Sequence, residues 1–279
     1  MSPHVLRSLA FVEPQLPQWH DERVAVAGGS PLTLRIYGAA ARQAANDTLP
    51  LVLHFHGGAF TGGSLAEGGH VAEALAASGA VVASIDYPLA PDFPFPHAIE
   101  AGHAALRWLE RERKRLAGAK APLYVAGEDA GANIAAGLAM MARDRGGPAL
   151  AGQLLLSPML DACVGTKSQR DARAGPVGCP CADGWRAYLS GDADVMHPYA
   201  APAASLRLGG LPPTLLVTAT DDPLRDEARA FAQRLQQAGV PARLHVVPAP
   251  TGWPLGLHQP LSESCANALR TPVRAFFSS

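Results

Sequence analysis

The sequence predicts an α/β fold built on a mostly parallel sheet, and three observations carry that prediction. From about residue 50 onward, short apolar runs alternate with helical patterns. The runs are almost continuously apolar, as in strands covered on both faces, rather than alternating as in half-exposed ones. The length, 279 residues, suits one large domain with a substantial core.

The elements follow in order. Residues 1–22 precede the sheet and are expected to form an N-terminal cap segment, with the main domain spanning 23–279. Val24 to Val26 and Leu32 to Tyr37, joined through Gly28-Gly29, predict an antiparallel hairpin at one sheet edge. Six further strands are expected at Leu51–Phe55, Val81–Ile85, Leu123–Ala126, Gly152–Leu156, Thr214–Thr218 and Arg243–Val247, which makes eight in all. Helices are expected over Ala98–Leu116, Ala132–Arg143 and Arg225–Ala238, the last ending at Gly239 and Pro241. Alternating β and α units imply right-handed crossovers and helices on both faces. Residues 162–210 break this rhythm, being rich in Gly, Pro and Ala. A segment of that kind is expected to be a small cap over the strand C-termini, where open α/β sheets bind ligands.

Composition narrows the function classes. The net charge of -1 is spread along the chain and gives no reason to expect a nucleic-acid partner. The N-terminus lacks the apolar run of a signal peptide and no stretch is long enough to span a bilayer, so a cytoplasmic protein without membrane association is expected. The four cysteines, Cys163, Cys179, Cys181 and Cys265, are scattered and read as free thiols, with no metal site and no cofactor implied.

The chemistry-bearing stretch is Gly127-Glu128-Asp129-Ala130-Gly131, between an expected strand and an expected helix. That is the setting of a nucleophile elbow, a tight turn that holds one side chain at the top of a sheet and at a helix N-terminus. Three more motifs share its context. They are His56-Gly57-Gly58-Ala59-Phe60, Asp86-Tyr87-Pro88-Leu89-Ala90-Pro91 and Asp222-Pro223-Leu224-Arg225-Asp226-Glu227. Together they make the chain resemble the bacterial hormone-sensitive-lipase family of α/β-hydrolases, from roughly residue 23 to the end. The resemblance implies an oxyanion hole from the backbone N–H groups of Gly57, Gly58 and Ala130. It also implies a triad acid at Asp222, with Asp221 as a competitor by one position. His54 and His56 become supports of the oxyanion loop, and Asp86 a structural tether.

Two of three triad positions depart from that family. Asp129 stands where the serine belongs, and Thr251, in Pro248-Ala249-Pro250-Thr251-Gly252-Trp253, stands where the histidine belongs. A threonine cannot take a proton near neutral pH, and a carboxylate is a poor nucleophile toward an ester. The carboxylate is also expected to fold back onto the oxyanion donors. Ordinary carboxylester hydrolysis is therefore expected to be absent or very weak.

Three readings remain. The first is a protein that keeps the pocket for binding a small molecule, apolar or carbonyl-bearing. The second is a lyase, isomerase, cyclase or decarboxylase with Asp129 as general acid or base. The third is a remodelled hydrolase with Asp129 as nucleophile and a non-equivalent histidine, for which His258 is the candidate although Pro254 and Gly256 argue for a different course. His56, Phe60, Tyr87, Glu128 and Trp253 are expected to line the pocket. Trp185 and Tyr188 either line it or fill the space between cap and core. A homodimer through the last strand, Arg243–Val247, is expected from the resemblance.

Overall fold

Apolar runs with few polar interruptions form strands that bury both faces, and five such runs build the centre of this molecule. The computed structural model describes residues 19–25, 31–38, 48–171 and 178–279. Its strands are β1 (Trp19–Val24), β2 (Leu32–Tyr37), β3 (Leu51–Phe55), β4 (Val81–Asp86), β5 (Leu123–Glu128), β6 (Gly152–Leu156), β7 (Thr214–Ala219) and β8 (Ala242–Val247). They form one eight-stranded sheet in the order β1-β2-β4-β3-β5-β6-β7-β8. Pairing is antiparallel for β1 with β2 and β2 with β4, and parallel elsewhere.

The first strand corrects the expected hairpin. It starts at Trp19 and pairs Trp19 with Tyr37, so the sheet reaches four residues before the expected boundary at 23. Val26, Gly28, Gly29 and residues 1–18 of the expected N-terminal cap lie outside the described residues.

The main helices are α1 (Gly69–Ala76), α2 (His97–Leu116), α3 (Ala130–Asp144), α7 (Arg225–Gln237) and α8 (Glu263–Phe277). Two apolar clusters divide the core between the faces of the sheet. One joins Phe55, Leu106, Leu138 and Phe231; the other joins Val71, Leu154, Trp253, Leu269 and Phe276. Three short helices, α4 (Lys167–Arg170), α5 (Gly178–Tyr188) and α6 (Asp192–Val195), occupy the stretch expected to form the cap. The α5 helix sits on the loops that follow β3 and β4. Tyr188 stacks on Phe60 with centroids 3.9 Å apart, and Phe95 N donates to Tyr188 O at 2.8 Å. Trp185 and Tyr188 thus belong to the packed interface.

One sheet edge is β8, which among the described residues pairs only with β7. Among the described residues no helix is long and apolar enough to cross a membrane.

Candidate active site

The chain turns from β5 into α3 within a few residues, and close backbone contact makes that turn possible. A Cβ on Gly127 would lie 2.4 Å from the Gly131 backbone, and one on Gly131 would lie 2.1 Å from the Phe55 carbonyl. Only glycine leaves room for this approach. Asp129 at the apex has φ 53 and ψ -120, a conformation that costs of order 1–3 kcal/mol in an L-residue. The surroundings hold it: Asp129 N donates to Leu156 O at 3.0 Å, and Met159 N donates to Asp129 O at 3.2 Å.

The held side chain is 4% exposed. Its Oδ2 accepts from Gly58 N at 2.9 Å and from Ala59 N at 2.8 Å. These are the N–H groups of the loop after β3, which present themselves to a developing oxyanion in an acyl-transfer site. Here the carboxylate of the chain itself occupies them. Oδ1 is buried and has no partner at hydrogen-bonding geometry. Burial pushes the Asp129 carboxyl above the ordinary range. The N–H groups of Gly58, Ala59 and Ala130, with the nearby His258, act against that rise.

The donor set differs from the one expected. Gly57 does not offer its N–H to position 129 but donates to Glu128 Oε1 at 3.1 Å, and Ala59 takes the expected place. Glu128, expected to line the pocket, is fully buried under the oxyanion loop. Its other oxygen lies 2.7 Å from His54 Nε2, whose Nδ1 lies 2.9 Å from Ser84 Oγ. A buried His54–Glu128 pair therefore sets the height of the loop.

His56 and Tyr87 also build this loop. Their rings stack 4.4 Å apart, Tyr87 Oη donates to His56 O at 2.8 Å, and His56 Nδ1 lies 2.8 Å from Gly57 O. Burial lowers the His56 pKa and raises that of Tyr87 well above its usual value. Phe60 follows Ala59 and anchors α5. Trp253 is no pocket residue: it is 2% exposed and packs with Val71 and Leu257 on the opposite face of the sheet.

The triad-equivalent positions do not meet. Both Asp222 oxygens are engaged, Oδ2 by Thr218 Oγ1 at 2.6 Å and Oδ1 by Leu224 N at 2.8 Å. Burial raises the Asp222 pKa, these donors oppose the rise, and the Asp129 charge adds to it. Thr251 turns to the neighbouring acid. Its Oγ1 donates to Asp221 Oδ1 and its N–H to Asp221 Oδ2, both at 2.8 Å, and Gly252 N adds a third bond at 3.2 Å. Asp221, the competitor by one position, is the acid that holds this loop.

Three side chains that the motifs did not mark lie beside Asp129 or Asp222. His258, delivered by the 3₁₀ turn Leu255–His258, comes in from the loop after β8. A single point, the place a Cβ on Gly57 would take, lies 2.4 Å from His258 Nε2 and 3.1 Å from Asp129 Cβ. That nitrogen is buried and without a hydrogen-bond partner. Ser157, after β6, sits at φ 42 beside Asp222, its buried hydroxyl also without a partner at hydrogen-bonding geometry. Cys181 of α5 is 2% exposed, and burial beside Asp129, Glu227 and Asp222 pushes its thiol far up. Among the described residues no group of three His, Cys, Asp or Glu side chains is arranged to hold a metal ion.

Comparison with known proteins places the fold. A family model described as the α/β hydrolase fold matches residues 52–251. Carboxylesterase NlhH of Mycobacterium tuberculosis is 35% identical over 247 residues, covering 86% of this chain and 76% of that protein. The gibberellin receptor GID1 of Oryza sativa is 29% identical over 250 residues, covering 85% and 70%. The solved structure of a hyperthermophilic esterase from the archaeon Pyrobaculum calidifontis matches with a TM-score of 0.82 and 34% identity, over 94% of this chain and 85% of that one.

Proposed function

Because this chain belongs to the hormone-sensitive-lipase-like α/β-hydrolases, we propose that it keeps their cleft as a small-molecule site centred on Asp129 and does not run their acyl-enzyme hydrolysis of carboxylic esters. The observation that carries this reading is the seat of Asp129 Oδ2 on Gly58 N and Ala59 N. A substrate carbonyl needs those two donors in its transition state, and a resident negative charge denies them. Thr251, tied to Asp221, supplies no base in place of the imidazole.

Loss of ester turnover does not require loss of the ligand. A relative of similar coverage carries the name of a gibberellin receptor, which supports retention of a binding cleft on this scaffold. Phe60, stacked on Tyr188 and packed beside Trp185, holds the loop His56–Phe60 in place beneath α5.

The test is restoration. Asp129→Ser with Thr251→His returns an alcohol and an imidazole to the two changed positions, and is expected to bring measurable p-nitrophenyl butyrate hydrolysis to a chain that otherwise has none. Strong ester hydrolysis by the unmodified chain, abolished by Asp129→Ala, overturns the reading.

A further inference from the structure

A groove of about 1100 Å³ lies between the start of β2 and one face of α2. Its described lining includes neither Asp129, His258 nor any residue of the loop His56–Phe60, so it is separate from the cleft above. Its two ends differ in chemistry. The loop from β4 into α2 lends Pro88, Phe93 and Pro96, and β2 adds Leu32. Phe93 is 49% exposed, although its ring meets His97 edge-on. A large apolar ring left half in water favours any apolar partner that covers it.

Arg107 and Arg111 line the groove further along α2. From His97 to Arg111 the helix rises by about 20 Å, so the cationic end stands well apart from the apolar one. Both arginines are exposed, and neither makes an ion pair or a hydrogen bond among the described residues. The carboxylates that could neutralise them are held elsewhere. Glu100 pairs with Arg145 at 2.7 Å and Glu110 with Arg113 at 3.8 Å. Glu112 and Glu22 both pair with Arg115, at 2.6 and 2.9 Å. Like charges one turn apart on a helix repel, and here no acidic partner offsets the repulsion. The other acid on the lining is Asp86, exposed at the end of β4 and next in the chain to Tyr87 and Pro88. Its charge disfavours an anion at that end and gives the groove a direction.

We infer that this groove binds a long-chain carboxylate, with the headgroup on Arg107 and Arg111 and the chain laid along Leu32, Phe93 and Pro96. The planar guanidinium matches the two oxygens of a carboxylate. A recess of this shape takes a single chain rather than the face of a bilayer. Tyr87 couples the groove to the oxyanion loop. It lines the groove, stacks on His56 and donates to His56 O. Occupancy of the groove therefore registers at the loop, whatever chemistry the cleft at Asp129 performs.

The test titrates the full chain with decanoate below its micelle-forming concentration, followed by calorimetry and by backbone amide resonances. One decanoate is expected to bind per chain. It should move the resonances of Phe93, Arg107 and Arg111 and, more weakly, those of Gly57 and Gly58. Decanol, which has the chain without the charge, should bind more weakly. Arg107→Gln with Arg111→Gln is expected to raise the decanoate Kd by on the order of tenfold, because each exposed ion pair contributes only a few-fold. Phe93→Ser should weaken binding as well. All three side chains are exposed, so these variants are expected to melt with the unmodified chain, which separates loss of the site from loss of the fold. The inference is overturned if decanoate does not bind, if decanol binds equally well, or if the double arginine variant binds like the unmodified chain. It is equally overturned if the resonances that move belong to Asp129 and His258 instead of α2, or if binding requires anionic lipid vesicles. Ester hydrolysis is assayed separately, so failure of this inference and failure of the preceding reading are told apart.

Discussion

The hydroxyl of Thr251 donates to Asp221 Oδ1 at 2.8 Å, one residue away from the carboxylate that the motif marks as the triad acid. Asp221 also gathers the N–H groups of Thr251 and Gly252, so one carboxylate fixes the entry to the loop after β8. Partial burial acts to raise its pKa, but these donors outweigh it and hold the group below the ordinary carboxylate range. A depressed folded-state pKa means that the stabilisation is present above the unfolded value and disappears as pH falls through the folded one. Asp221→Ala is therefore expected to lower stability at pH 7 by about 1–2 kcal/mol, at the modest end because the group is partly exposed. The difference from the unmodified chain, read by denaturant titration, should shrink in strong acid.

Glu227 gives the opposite dependence. It accepts from Leu160 N, Asp161 N and Gln169 Nε2, linking α7 to the segment after β6 and to α4. Burial pushes its pKa from 4.5 up to about 8 despite these donors. A raised folded-state pKa means that its contribution is complete below the unfolded value and is lost as pH rises through the folded one. Asp129 and Asp222, also raised by burial, act in the same direction. Stability is expected to fall by an amount on the order of a few kcal/mol between about pH 5 and 8. Glu227→Gln, whose amide cannot accept from all three donors, should be less stable near pH 5 and show a flatter profile. Melting temperatures across that range check it.

The oxyanion loop depends on a buried pair. Removing one partner from His54–Glu128 leaves the other unpaired in the core, at a cost of about 3–5 kcal/mol. Glu128 also holds Gly57 N, so His54→Ala is expected to loosen the loop as well as destabilise the fold. Amide exchange at Gly57, Gly58 and Ala59 should rise above its value in the unmodified chain, which a purely global effect would not confine to that loop.

Trp253 is a packing residue by its surroundings. Trp253→Ala is expected to cost about 3–5 kcal/mol, typical of deleting a buried aromatic side chain. A change below about 1 kcal/mol, measured by denaturant unfolding, would return it to the pocket wall.

Gly57 tests the crowding at the cleft. A methyl group there would meet His258 Nε2 at 2.4 Å and the Asp129 Cβ at 3.1 Å. Gly57→Ala is expected to displace the imidazole, and its ring resonances in nuclear magnetic resonance spectra should move together with those of the Asp129 neighbourhood. Unmoved resonances would place His258 elsewhere.

Much of this was legible in the sequence for a simple reason. Strands buried on both faces announce themselves as continuous apolar runs, and the expected β3, β4, β5, β6 and β7, with the less buried edge strand β8, differ from the observed spans by a residue or two. Helices α2, α3 and α7 were equally plain. The terminal helix α8 went unassigned although Leu269, Val273 and Phe276 recur at helical spacing, because Pro272 interrupts the pattern. Motif order placed Asp129 at the elbow and foresaw its retreat onto backbone donors, but assigned Gly57 where Ala59 stands. Linear spacing carries no record of which N–H a turned loop presents. The approach of His258 was hidden for the same reason: Pro254 and Gly256 read as a departure of the chain, whereas the 3₁₀ turn they permit brings the imidazole back.

The most direct test is steady-state hydrolysis of p-nitrophenyl butyrate by the purified chain beside its Asp129→Ala variant. The seat of Asp129 on Gly58 and Ala59 predicts that both match the buffer rate. Turnover by the unmodified chain that vanishes in Asp129→Ala would contradict it, since the carboxylate would then be driving the ester chemistry it is held to block.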